Sequence, residues 1–179
     1  MRAAARVRRT GCVAALLIAA GCAHYGPPAD DHAAIAAHDG SPVAARHDAA
    51  PAAIEAMLDD FHGAAAHADE ERYFAHFAAD GVFLGTDASE RWDVQAFRAY
   101  AHPYFARGHG WTFHGVRRRI AVRGDLAWFE EDLETKNLGP ARGSGVLALQ
   151  GGRWLVEQYV LSITVPNDKM AGVKTLLAQ

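Results

Sequence analysis

A series of four strand-like segments near the C-terminal end constrains the fold of this chain more than any other feature. They are rich in aromatic, β-branched and alternating apolar residues and cover 111–123, 126–136, 143–150 and 153–164. The residues between them are turn formers: Gly124-Asp125, 137–140 and Gly151-Gly152. Because such short turns join neighbouring antiparallel strands, the pattern predicts a four-stranded antiparallel meander.

Three helices and a short strand are predicted ahead of the meander. Apolar residues recur at helical spacing after Pro51, which suits the first position of a helix. A second helix is predicted to begin at Asp69 and to stop at Asp80-Gly81, and the buried strand 82–86 follows it. Asp93 is predicted to cap a third helix.

This order predicts an α+β fold, in which a curved antiparallel sheet wraps around three helices and encloses a conical cavity. Particular segments support the assignment: 83–87 (FLGTD), 90–92 (ERW), 127–131 (AWFEE) and 151–162. In the order of its helices and strands and in these segments, the chain resembles the nuclear transport factor 2-like (cystatin-like) fold. Its C-terminal part, 151–162, is similar to that of bacterial SnoaL-like proteins. The resemblance implies this fold and a homodimer. It leaves the function open, because the fold hosts enzymes, binding domains and assembly domains.

The first 21 residues are predicted to be a signal peptide. Four arginines and no acidic residue precede the apolar run 11–21, which is shorter than the roughly 20 residues that cross a bilayer. The stretch 17–22 (LIAAGC) resembles a bacterial lipoprotein signal, which implies cleavage before Cys22 and acylation of its thiol. Cleavage by the general signal peptidase is the alternative. The resemblance implies an anchor in the cell envelope that faces the periplasm, with Ala23 favouring the outer membrane.

Residues 22–50 are predicted to be a disordered tether, and 51–179 the folded domain. The tether has few large apolar residues and no helical or strand periodicity. Its four histidines match no metal-ligand spacing, and Cys12 leaves with the signal peptide, so neither a metal site nor a cofactor is predicted. The predicted domain has 13 basic and 17 acidic residues, a balance that argues against nucleic acid as a partner.

Asp87 is the first candidate catalytic residue. It follows the predicted buried strand 82–86, at the expected mouth of the cone. A carboxylate there can serve as a general base. The alternative is that Asp87 caps the turn by accepting backbone N–H bonds, as aspartates often do.

Glu131 is the second candidate. Side chains alternate along a strand, so Ala127, Phe129, Glu131 and Leu133 share the more apolar face, which is expected to face the helices. A buried glutamate needs a partner, for which Arg142 and Arg91 are the candidates. Glu131 is then either half of a buried ion pair or an acid tuned for catalysis.

Ligand-binding residues are predicted from aromatic and polar side chains expected near the cone, namely Trp92, Tyr100, Trp111, His114, Phe129, Arg142 and Tyr159. The leading hypothesis is an envelope lipoprotein that binds a small apolar or amphipathic molecule in the cavity. One alternative is a cofactor-independent isomerase, cyclase or dehydratase with Asp87 or Glu131 as the base. The other alternative is a dimeric protein-interaction module. Which face of the last strand lines the cavity stays open.

Overall fold

The computed structural model describes residues 42–179, so the predicted signal peptide, Cys22 and most of the predicted tether lie outside the described residues. Helix α1 spans Pro42–Ala66 and contains Pro51. The predicted helix start at Pro51 is therefore wrong. Alanines flank Pro51 on both sides, and their high helix propensity lets the helix continue past a residue that removes a single N–H donor.

Two short helices follow, and each begins at an aspartate. Asp69 accepts a hydrogen bond from the backbone N–H of Arg72 at the start of α2 (Glu70–Phe74). Asp93 accepts one from the backbone N–H of Ala96 at the start of α3 (Val94–Phe105), which confirms its predicted role as a cap.

The second helix is shorter than predicted. The chain leaves α2 at Phe74 and enters strand β1 (Phe77–Leu84), so Asp80-Gly81 lies inside the strand rather than at a helix end. The pairing register of β1 shifts between Phe77 and Val82. A Cβ at Gly81 would lie 2.6 Å from the carbonyl oxygen of Val156, so the strands approach closely only because residue 81 is glycine.

Five further strands follow β1 along the described residues: β2 (Arg91–Asp93), β3 (Phe113–Arg123), β4 (Leu126–Thr135), β5 (Gly139–Gln150) and β6 (Arg153–Ile163). The six strands form one sheet in the order β2-β1-β6-β5-β4-β3. Strands β3 to β6 pair antiparallel in sequence order, which confirms the predicted meander. The parallel pairing of β1 with β6 and the short strand β2 were not predicted.

The hydrophobic core lies between the sheet and the helices, as expected for the predicted α+β fold. Helix α1 packs on β3, and α3 packs on β1 and β2. The largest buried apolar side chains of the core include Ile54, Leu58, Phe61, Tyr73, Phe97, Leu133, Leu147, Val156 and Tyr159. The fold class inferred from the sequence is confirmed.

An irregularity in β6 decides which of its side chains face the core. The pairing register with β5 shifts between Val156, which lies opposite Leu147, and Gln158, which lies opposite Val146. Trp154 and Val156 are buried before this point, and Tyr159 and Leu161 are buried after it. Strict alternation would place these two pairs on opposite faces, so the bulge lets both contribute to one core.

The chain ends in a 3-10 turn, Asn167–Lys169, and helix α4 (Met170–Leu177). The sequence predicted no element there. No helix within residues 42–179 is long and apolar enough to cross a membrane.

Candidate functional site

A cavity of about 820 Å³ opens between the ends of β1 and β2, helix α3, the start of β3 and the turn between β4 and β5. We call it the aromatic cavity. Its apolar walls are mainly aromatic: Phe83, Trp92, Phe97, Tyr100, Tyr104, Trp111, Phe113 and Leu161. Its polar walls include Thr86, Glu90, His109, Thr112, His114, Thr135, Lys136 and Asn137.

Several of these rings lie nearly parallel. The ring centroids of Phe83 and Phe97 are 4.0 Å apart with planes inclined by 16°, and Trp92 is inclined by 8° to Phe97. Tyr100 continues the series, with its centroid 4.6 Å from that of Trp92. Tyr100 is 43% exposed and stands at the rim. Because they stack on one another, these rings form a continuous, rigid apolar wall.

A buried polar cluster lies in the core, outside the lining of the aromatic cavity. At its centre is Glu131, which is 1% exposed. Its Oε1 accepts from His62 Nε2 at 2.7 Å and from the Tyr159 hydroxyl at 3.2 Å. Its Oε2 accepts from Nε and one terminal nitrogen of Arg118, at 3.0 and 2.8 Å. The other terminal nitrogen of Arg118 donates to Asp59 at 2.9 Å. We call Glu131, His62, Arg118 and Tyr159 the Glu131 cluster.

The pairing keeps Glu131 ionised. Burial by itself would raise the pKa of this carboxyl, but the hydrogen bond and charge of His62, with the Arg118 guanidinium, outweigh it and hold the pKa below its usual value. Burial and the neighbouring Glu131 charge raise the pKa of Tyr159 well above its usual value. Tyr159 is therefore a neutral donor to an ionised acceptor.

A second, smaller opening of about 400 Å³ lies between α1 and the first half of β3. We call it the α1–β3 cleft. Its walls come from Asp59, His62, Gly63, Ala66, Thr112, Phe113, His114, Gly115, Val116, Arg117 and Arg118. Thr112, Phe113 and His114 also line the aromatic cavity, so this short segment is shared by the two openings. Two members of the Glu131 cluster, His62 and Arg118, thus border the cleft.

The predicted ligand-binding residues divide into two groups. Trp92, Tyr100, Trp111 and His114 line the aromatic cavity. Phe129 and Tyr159 lie in the core, 3% and 1% exposed, and are absent from both linings.

Arg142, predicted both to bind ligand and to pair with Glu131, lies on the other face of the sheet. It is paired across the strands with Asp132, and its Nε lies 3.6 Å from an oxygen of that carboxylate. Since cross-strand partners share a face and Asp132 faces away from the core, Arg142 is turned away from Glu131. Neither of the two predicted partners, Arg142 and Arg91, pairs with Glu131, and Arg118 takes that place.

Asp87 lies in the exposed turn between β1 and β2 and lines neither opening. Its Oδ1 accepts from the backbone N–H of Ser89 at 2.8 Å and also from the Ser89 hydroxyl. These bonds from Ser89 hold the pKa of Asp87 below its usual value. The geometry is that of the turn cap, one of the two roles the sequence allowed.

Sequence reasoning missed His62 and Arg118, although both left a signal. His62 is four residues after Leu58 on the buried stripe of α1, where a polar side chain needs a partner. Arg118 is the middle residue of the arginine triplet 117–119 on β3, and it forms an ion pair with Glu131 across the strands, as Arg117 does with Asp132. Within residues 42–179 no three His, Cys, Asp or Glu side chains are grouped so as to hold a metal ion.

The six-stranded sheet with helices packed on it defines an α+β domain of the nuclear transport factor 2-like class. The profile of the SnoaL-like domain family matches residues 54–166. The chain belongs to this family. No protein with a curated description matches it.

Solved structures of similar fold agree with this assignment. A nuclear transport factor 2-like protein of unknown function from Pseudomonas putida is 18% identical over 68% of this chain and 92% of its own, with a TM-score of 0.59. A protein with a cystatin-like fold from Nostoc punctiforme is 18% identical over 64% and 90%, with a TM-score of 0.54. A nuclear transport factor 2-like protein from Cytophaga hutchinsonii is 16% identical over 64% and 98%, with a TM-score of 0.55. At these identities the likeness concerns the fold alone.

Proposed function

We propose that the domain binds a small apolar or amphipathic molecule in the aromatic cavity. The observation that carries the proposal is the series of nearly parallel rings, Phe83, Phe97, Trp92 and Tyr100, along one cavity of about 820 Å³. That volume lies within the usual range for small-molecule sites, roughly 300–1,000 Å³. Glu90, Lys136 and two histidines supply the few polar groups that orient a ligand in such a site.

The binding proposal predicts that 1-anilinonaphthalene-8-sulfonate, an aromatic anion with a fluorescent ring system, binds the full chain. Tyr100→Ala removes a ring at the rim and is expected to weaken binding by about 2- to 10-fold, the equivalent of one lost aromatic contact. A fluorescence titration measures the Kd.

The matched control is Trp128→Ala, which removes an exposed aromatic side chain that lines neither opening. It is expected to leave the Kd unchanged. Equal effects of the two substitutions, or no dye binding by a folded wild-type chain, would contradict a ligand site in the aromatic cavity.

The domain works at a membrane surface in this proposal, held by acylated Cys22 in the cell envelope and facing the periplasm. The support is the sequence alone: the basic start, the short apolar run 11–21 and the cysteine that follows it. Several acyl chains on one cysteine give stable anchoring, at about 0.8 kcal/mol per buried CH₂. The homodimer stays a prediction.

Cys22→Ala is expected to move the protein from the membrane fraction to the soluble envelope fraction, because the substitution removes the acylated thiol. Immunoblots of fractionated cells measure this. Cys12→Ala is the control, since Cys12 lies within the predicted signal peptide. A Cys22→Ala protein that stays with the membranes would speak for another mode of attachment.

The enzymatic alternative, with Asp87 or Glu131 as general base, has less support. Asp87 is exposed and engaged by Ser89, and Glu131 has its acceptor positions occupied and a lowered pKa. Neither group lines the aromatic cavity. Binding is therefore the function that the geometry of this cavity supports best.

A further inference from the structure

The charged residues in the wall of the aromatic cavity lie on two different sides of it. Residues 112–114 at the start of β3 and 135–137 at the end of β4 form one side, and they are neighbours because Phe113 pairs with Thr135. Glu90 is the only acidic residue that the described part of the chain contributes to the wall. It precedes β2, and β6 separates β1 and β2 from β4 and β5 in the sheet. The cavity therefore has a basic side and an acidic side.

The turn that carries Lys136, the lysine of the basic side, is closed by hydrogen bonds. The hydroxyl of Thr135 donates to the carbonyl oxygen of Gly139 at 3.1 Å and accepts from the backbone N–H of Leu138 at 2.8 Å. The backbone of Lys136 lies between these bonded residues, and its side chain is exposed at the rim of the cavity. The point from which the ammonium group reaches the opening is thus fixed by the fold.

The polar side chains of the basic side have no partner in the protein. Within residues 49–179, Lys136, Asn137 and His114 form no side-chain hydrogen bond or ion pair. Glu134 lies opposite His114 in the pairing of β3 with β4, but it is not part of the wall. Lys136 carries a positive charge and only donors, and the amide and the imidazole each supply a further donor. Such a group of donors is suited to an anion.

The carboxylate of the acidic side is engaged within its own turn. Oε2 of Glu90 accepts from the backbone N–H of Asp87 at 3.1 Å. The Glu90 side chain also packs directly on Gly85, where an added Cβ would strike the carboxylate. Glu90 is therefore held against the turn between β1 and β2, whereas Lys136 is available to a ligand.

The inner wall of the cavity determines how a charged ligand would lie. Phe83 and Phe97 are 7% and 2% exposed and offer no polar group. A charge placed against them would lose its hydration without a partner, which is costly. The charged end of a ligand therefore belongs at the rim beside Lys136, with its apolar part against the rings.

We propose that the ligand of the aromatic cavity is an amphipathic organic anion of the carboxylate type, whose charged group is bound by Lys136 at the rim. Asn137 and His114 supply further donors to the same group. The proposal rests on the ligand site proposed above and names its class of ligand. Lys136 is then the residue that distinguishes an anion from a neutral molecule of the same shape.

The test uses the full chain and two dyes that share one ring system. 1-Anilinonaphthalene-8-sulfonate is an anion, and N-phenyl-1-naphthylamine is its neutral counterpart without the sulfonate. Lys136→Gln is expected to raise the Kd of the anion about 3- to 10-fold, because one charged contact is lost, and to change that of the neutral dye less than about twofold. Fluorescence titrations measure both values. Since Lys136 is exposed in a turn, the substitution leaves the core intact.

The matched control is Lys174→Gln. Lys174 is an exposed lysine on α4 that lines neither opening, so its loss is expected to leave both Kd values unchanged. Equal effects of the two substitutions on the anion, or an equal effect of Lys136→Gln on both dyes, overturn the proposal. If the neutral dye binds and Lys136→Gln does not weaken the anion, the anionic class alone is overturned. If neither dye binds the folded chain, the ligand site is overturned as well.

A second measurement replaces the sulfonate by a carboxylate. 2-Naphthoate and 2-naphthamide have nearly the same shape, and each is titrated against bound N-phenyl-1-naphthylamine. The carboxylate is expected to displace the dye at a concentration about threefold or more below that of the amide, and Lys136→Gln is expected to remove this preference. An amide that competes as well as the carboxylate in the wild-type chain overturns the proposal.

Discussion

Glu131→Gln is expected to lower the free energy of unfolding by about 3–5 kcal/mol, the usual cost of removing one partner from a buried ion pair. The substitution takes the negative charge from a side chain that is 1% exposed and leaves His62 and the largely buried Arg118 facing a neutral amide. Asp59 also pairs with Arg118, but the Asp59 side chain is mostly exposed, so it balances the positive charge of Arg118 only from the surface. Urea denaturation followed by circular dichroism measures the loss.

Asp132→Asn is the matched control for Glu131→Gln. It makes the same chemical change one residue further along β4, at a half-buried side chain that pairs with Arg117 at 2.8 Å. Ion pairs of this exposure contribute about 0–1 kcal/mol. A loss in Glu131→Gln no larger than that in Asp132→Asn would contradict the stabilising role assigned to the Glu131 cluster.

The effect of Glu131→Gln also has a defined pH dependence. The folded-state pKa of Glu131 lies below its ordinary value of 4.5, so folding favours the ionised carboxylate. The stabilisation is then complete above the pKa of the unfolded chain and is lost as the pH falls through the folded-state pKa. The difference in unfolding free energy between wild type and Glu131→Gln is therefore expected to shrink as the pH falls below about 4.5. A difference that persists undiminished well below that pH would contradict the ionised state of Glu131.

The parts of the fold that were predicted from the sequence depend on local interactions. Gly124, Gly151 and Gly152 have positive φ values of 60°, 57° and 80°, a backbone conformation that glycine adopts without strain, so the meander turns could be recognised from residue type. The parallel pairing of β1 with β6 joins residues that are far apart in the chain, and no local pattern encodes it. The start of α1 is a different case, because the alanines on both sides of Pro51 are a local signal for helix that outweighs the proline.

For the candidate site, the sequence predicted which face of the strand a side chain lies on, but not which residue it pairs with. Strand alternation placed Glu131 on the face of β4 that looks towards the helices, and the buried and exposed positions of this strand confirm it. The partner of Glu131 depends on which residue of β3 lies opposite, and that register shifts between Gly115 and Arg117. A shift of one residue turns each side chain to the other face, so Arg118 could not be selected from its neighbours by pattern alone.

Gly143→Ala is expected to lower the free energy of unfolding by about 1–3 kcal/mol, a typical cost of overpacking a tight interior. Gly143 lies opposite Glu131 in the pairing of β4 with β5. A Cβ at this position would lie 2.9 Å from Glu131 Oε1 and closer still to the Tyr159 hydroxyl. The added methyl group must therefore push apart the two groups that are hydrogen-bonded to each other. Urea denaturation of Gly143→Ala, alone and in combination with Tyr159→Phe, measures the cost.

The control glycine is Gly172 in α4, where an added Cβ would meet no atom within 4 Å. Gly172→Ala is expected to be neutral or to raise stability by up to about 1 kcal/mol, because alanine is the better helix former.

The informative second substitution beside Gly143→Ala is Tyr159→Phe, which removes the hydroxyl that the new methyl group would strike. Tyr159→Phe alone loses one hydrogen bond to Glu131, at a cost of about 0.5–1.5 kcal/mol. In the Tyr159→Phe background the cost of Gly143→Ala is expected to fall, giving a coupling of about 1–2 kcal/mol between the two sites. Additive effects of the two substitutions would mean that residue 143 is glycine for a reason other than its contact with the Glu131 cluster.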